Sequence, residues 1–167
     1  MKRIAVSVRR GKPGLRIGFA GYLIRRALRA ALACEGVNLL CEVSVLLTDD
    51  EGIKAINLKS RGIDSSTDVL SFPASELKAG DFNADSCETD PYSGRIFLGD
   101  IVISLERAIL QGREYGHGVK REISYLAVHS LLHLLGYDHL DEGENKMRMR
   151  EHEKKALHLL GYDKADN

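Results

Sequence analysis

Residues 123–137 run for 15 positions without one Asp, Glu, Lys or Arg, the longest such stretch in the 167-residue chain. A helix crossing a bilayer needs ~20 apolar residues. This segment is too short, and it carries His129 and His133. Ile123, Ala127, Leu131, Leu134 and Leu135 fall on one helical stripe, and Gly136 follows as a stop signal. The pattern predicts a helix over 119–135. Its stripe faces a core, and the two histidines lie away from it on the side of Glu122 and Leu126.

Further elements read from the pattern around it. Residues 4–8 alternate as a strand, 19–35 form a helix with Ile24, Leu28, Ala31 and Leu32 on one face, and 39–47 form a second strand. Strand, helix, strand predicts a crossover between parallel neighbours. Thr48 with Glu51 three residues on has capping-box spacing and opens a short helix to about residue 59. Strands follow at 67–73 and 95–104, and a helix at 104–115. Asp141 with Glu144 repeats the capping pattern before a last helix. The expectation is α+β: a single domain, residues 1–167, with a small mixed four-stranded sheet packed with about five helices.

Two segments lack an obvious partner in this scheme. Residues 74–94 are acidic and aperiodic, which marks either a functional loop or a mobile one. Leu132-His-Leu-Leu-Gly-Tyr-Asp138 recurs as Leu157-His-Leu-Leu-Gly-Tyr-Asp163. Nothing upstream repeats with it. One helix-stop solution used twice is the economical account, with Gly136 and Gly161 as the left-handed residues.

Charge is balanced in total, 24 basic against 24 acidic side chains, but not in distribution. Residues 1–34 hold nine cations and no acid, among them Arg25, Arg26 and Arg29. This basic N-terminal quarter is either an ordinary solvated face or a patch that attracts phosphate, and on the second reading those three arginines contact RNA. Aromatic residues make up 6% with no Trp, so no base-stacking platform is evident. The three cysteines have no Cys-x-x-Cys spacing, and Arg9 and Arg10 interrupt the N-terminus before a secretory core forms. The expected location is the cytoplasm, with no membrane association.

The histidines carry the chemistry. His129 and His133 are four apart, which puts them on one helix face ~6 Å apart along the axis. His139 follows the Gly136 turn, giving His-x3-His-x5-His. In the repeat, Lys154 stands four before His158 and Lys164 replaces the third histidine, so His158 lacks the triad. His117 and His152 read as surface or structural histidines. Three neutral imidazoles suit one Zn2+ per chain best, with nickel and copper compatible on ligand type. Three ligands leave a fourth position open, the mark of a catalytic rather than a structural site, and an open zinc lowers the pKa of its water to ~7. Asp138 either orients His139 or is a turn carboxylate. Metzincin proteases share the spacing but carry a catalytic Glu where this chain has Ser130, which disfavours peptide hydrolysis.

His129-Ser-Leu-Leu-His-Leu-Leu-Gly-Tyr-Asp-His139 resembles the signature of the YbeY family of bacterial endoribonucleases. Asn57-Leu-Lys-Ser-Arg61 followed by Thr67-Asp-Val-Leu-Ser-Phe-Pro73, and Leu98-Gly-Asp-Ile101, are similar to two further family blocks. The resemblance implies zinc held by His129, His133 and His139, and an important arginine at Arg61. It implies action on single-stranded RNA, maturation of the 3′ end of small-subunit (16S) ribosomal RNA, and ribosome quality control. Under it, Arg61 becomes the catalytic guanidinium, reaching from a loop to the phosphate being cleaved. Ser130 departs from the family's usual Gly and is expected to face the histidine side. The alternative is a non-catalytic RNA-binding ribosome-assembly factor whose metal holds the fold together.

Overall fold

A computed structural model describes residues 4–138 and 143–163. Four strands, β1 (Ile4–Arg10), β2 (Cys41–Thr48), β3 (Val69–Pro73) and β4 (Ile96–Ser104), form one sheet in the order β1-β2-β4-β3. β1 and β2 pair in parallel, as the strand-helix-strand pattern predicts; β2 and β4 are parallel, and β3 runs antiparallel at the edge. Five helices complete the α+β architecture: α1 (Gly18–Cys34), α2 (Asp50–Arg61), α3 (Leu105–Glu114), α4 (Val119–Leu134) and α5 (Glu144–Leu159).

The sheet divides the apolar residues between two faces. Cys41, Val43, Val45 and Leu47 of β2 face the main core, filled by α1, α4 and α5; Ile53 of α2 meets Leu70 and Val102 on the other face. A side-chain period of two would send half of β4 the wrong way. Ile96 and Leu98 point into the main core at even positions, and Ile101 and Ile103 at odd ones. A bulge reconciles them: Glu42 pairs with Phe97 and Val43 with Gly99, so Leu98 is the extra residue. Gly99 is required there. Its φ is +141°, and a Cβ would sit 2.3 Å from the Phe72 carbonyl oxygen.

Local details refine or change the expectations. Thr48 is not the cap of α2, because it still pairs with Ser104 in the ladder; Asp49 is the cap, accepting from Gly52 N at 2.9 Å and from Lys12 Nζ at 2.5 Å. Helix α5 starts after Gly143, and the expected capping residue Asp141 lies outside the described residues. Segment 74–94 is anchored: Leu77, Ala79, Phe82, Ala84 and Cys87 pack on the main core, with a short 3-10 turn at Ala84–Ser86. Helix α4 has no broad polar face. Between 121 and 133 only Arg121, Tyr125, His129 and His133 are partly exposed, a seam with a period of four, while Glu122 and Leu126 are buried. α1, α3, α5, β3 and β4 pack around the rest of the helix.

The repeated heptapeptide is one helix stop used twice. Tyr137 N donates to Leu132 O and Gly136 N to His133 O; Tyr162 N donates to Leu157 O and Gly161 N to His158 O. Both are Schellman turns. Only the first has a second constraint: a Cβ on Gly136 would lie 2.1 Å from the Leu77 carbonyl oxygen. The 74–94 segment thus presses against the turn that carries Tyr137 and Asp138.

Candidate active site

One turn of α4 sets His129 and His133 side by side, with ring centroids 4.6 Å apart at 86°. Each ring is held from behind. His129 Nδ1 donates to Glu153 Oε1 at 2.6 Å, and His133 Nδ1 donates to the Tyr137 carbonyl at 2.9 Å. A carboxylate and a carbonyl only accept, so both Nδ1 atoms carry the proton. Each Nε2 then presents a lone pair, and the two Nε2 atoms face one another at 3.1 Å. Converging lone pairs repel unless a proton or cation stands between them. Two imidazoles on one tetrahedral zinc would be about 3.3 Å apart, so the pair fits such an ion. Among the described residues no third His, Cys, Asp or Glu completes the group, and His139 lies outside them.

The supporting contacts tie the pair to the core. Glu153 is 7% exposed, on the face of α5 that carries Met149, Ala156, Leu157 and Leu160. Sequence reasoning missed it, although a glutamate on an otherwise apolar helix face was the available signal, since such a group is rarely buried without a partner. Tyr137, 3% exposed, donates its hydroxyl to Glu35 at 2.6 Å, and His152 Nδ1 bonds the same carboxylate at 2.5 Å. Burial and then the bond to Glu35 push the Tyr137 phenol up, so it stays a donor. His152 is therefore structural, as expected; so is His117, bonded to buried Glu122 at 2.5 Å, whereas exposed His158 bonds Asp163.

A cavity of about 590 Å³ opens before the two rings, lined also by Arg61, Thr67, Asp68, Ser71 and Asp138. Arg61 reaches it not from a loop but as the last residue of α2, where Gly62 closes the helix. Its Nη2 donates to Ser71 O at 3.3 Å on the edge strand, and its guanidinium lies 5.7 Å from the Phe72 ring centre. Asp138 is exposed in the same cavity. Ser130 does not face it. The hydroxyl is fully buried and donates to Leu126 O at 2.8 Å, because position 130 belongs to the covered side of α4.

Arg25, Arg26 and Arg29 lie on α1 and line none of this cavity. Arg26 Nη2 donates to the Leu160 carbonyl at 3.0 Å, at the C-terminus of α5.

An imidazole pair, a guanidinium and the carboxylates of Asp68 and Asp138 share one cleft. Residues 19–161 match the family model described as endoribonuclease YbeY. A relative named endoribonuclease YbeY from Clostridium botulinum (strain Eklund 17B) is 46% identical over 140 residues, 80% of this chain and 84% of that one. One from Clostridium acetobutylicum is 49% identical over 137 residues, 78% and 82% of the two chains. The solution structure of TM1509 from Thermotoga maritima shares the fold, with a TM-score of 0.57 at 20% identity over 97% of each chain. The chain belongs to the YbeY endoribonuclease family.

Proposed function

We propose that this RNA-cleaving hydrolase cuts single-stranded RNA with the help of one zinc ion held by His129, His133 and His139. We infer further that it matures the 3′ end of 16S ribosomal RNA on the small ribosomal subunit in the cytoplasm, and serves ribosome quality control. The observation that carries the metal reading is the 3.1 Å approach of the two Nε2 atoms while both Nδ1 atoms are held. Zinc, when bound, would supply Lewis acidity toward a phosphoryl oxygen and acidify a water.

The chain's own residues do the rest. Glu153 and the Tyr137 carbonyl fix the imidazole tautomers and ring planes. Arg61, facing the same cavity, offers a planar fork to a phosphate and favours the charge that builds as phosphorus is attacked. Ser130, buried and bonded to the helix backbone, supplies no protease base. Among the described residues no helix is long and apolar enough to cross a membrane.

Metal-depleted protein tests the reading. It should keep its fold and RNA affinity and lose cleavage of a single-stranded RNA, with activity returning on zinc addition. Undiminished cleavage without metal would overturn it.

A further inference from the structure

The chain has six tyrosines and no Trp, yet three of those tyrosines gather in one place. Tyr115, Tyr125 and Tyr162 line a second cavity of about 510 Å³ between α4 and α5, beside the histidine cavity. These residues are far apart in the sequence, where no stacking platform is evident, and the fold brings them together.

Two features give this cavity a preference. Its carboxylates are occupied by imidazoles: Glu122 by His117, Glu153 by His129 and Asp163 by His158. Of its cations, Arg121 contacts His117 Nδ1 at 3.2 Å. Arg150 and Lys154, one turn apart on α5 and both exposed, make no ion pair among the described residues. Aromatic walls with an unpaired cationic rim complement a base joined to a phosphate.

Position adds a third argument. Tyr125 and His129 belong to the same seam of α4, with ring centroids 5.6 Å apart. Glu153 lines the tyrosine cavity while bonding the histidine of the other. The two cavities share no lining residue, but Tyr125 and Glu153 of one contact His129 of the other.

We propose that the tyrosine cavity is a nucleotide subsite for the RNA strand: it takes a base near the phosphate being cut, with Arg150 and Lys154 on the adjoining phosphate. The proposal rests on the RNA-cleaving reading and extends it to how the strand is held. Tyr115 is the accessible platform, since it is 61% exposed and carries little of the fold.

The test is binding of a labelled single-stranded RNA by anisotropy, together with ring NMR signals of the tyrosines during titration with 5′-AMP. Tyr115→Ala should weaken RNA binding about 5- to 100-fold and Tyr115→Phe should restore it, since stacking needs the ring and not the hydroxyl. Arg150→Gln with Lys154→Gln should lower the log–log salt slope by ~0.7 per lost phosphate contact. The nucleotide should shift the Tyr115, Tyr125 and Tyr162 signals. Unchanged affinity and slope in these variants, while wild type still cleaves RNA, would overturn the subsite and leave the endoribonuclease reading standing. Wild type that neither binds nor cleaves RNA would overturn both. Binding of an acidic peptide but not of 5′-AMP would assign the cavity to a protein partner instead.

Discussion

Glu153 accepts a hydrogen bond from His129 Nδ1 at 2.6 Å, across the interface between α5 and α4. The contact joins the last helix to the candidate metal ligands, so α5 takes part in the site as well as in the core. A carboxylate behind a ligand imidazole fixes its tautomer and raises its basicity.

Glu153→Ala should therefore weaken zinc binding by about 10- to 100-fold, while Glu153→Gln, whose amide oxygen still accepts, should lose less. Competition with a chromophoric chelator gives both constants. Wild-type affinity in Glu153→Ala would reduce the contact to packing.

Arg61→Ala should lower the single-turnover cleavage rate by ~10²–10³, the effect of removing one preorganised donor to a transition state. Arg61→Lys should rescue poorly, because it keeps the charge and loses the fork. Zinc content should not move. As a cation at the C-terminus of α2, Arg61 adds at most ~1 kcal/mol to stability. A wild-type rate at saturating RNA would remove Arg61 from the chemistry.

The α1 arginines should divide. Arg26→Gln removes a cation from the C-terminal carbonyls of α5 and should lower Tm slightly, on the scale of ~0.3–1 kcal/mol. Arg25→Gln and Arg29→Gln should leave Tm unchanged and flatten the salt dependence of RNA binding, by ~0.7 in slope per lost phosphate contact. An unchanged slope would return these side chains to an ordinary solvated face.

The α2 cap predicts an acid-side effect. The bond from Lys12, then the Gly52 amide, holds the Asp49 carboxyl below the usual carboxylate range. A folded-state pKa below the unfolded one means the stabilisation is complete above the unfolded value and is lost as pH falls through the folded one. Wild type should therefore lose Tm faster below pH ~4 than Asp49→Asn, which caps without titrating. Parallel Tm curves would show that the carboxylate contributes nothing.

How much of this was legible in the sequence follows from the range of the interactions. His129 and His133 are paired by the helix alone, so their spacing sufficed. The Schellman turns after Leu135 and Leu160 are equally local. The bulge at Leu98 was not legible, because it appears only when β4 is registered against β2. Ser130 and Glu122 were assigned to the polar side of α4 because a wheel assumes one covered face, whereas α4 is covered on nearly all sides. Glu153 depends on the packing of α5 against α4, and the three gathered tyrosines on the end of α3 as well, which no local pattern encodes. The Arg61 position needed the C-terminus of α2, since the chain around Gly62 reads as loop.

The proposed function stands on the α4 histidines holding the zinc that cleavage requires. The most direct measurement is zinc per chain, taken with single-turnover cleavage rate, on wild type, His133→Ala and His158→Ala purified alike. Wild type and His158→Ala should hold about one zinc and keep full activity, and His133→Ala should lose most zinc and cleavage together. Equal zinc and equal rates in all three proteins would contradict the proposed function.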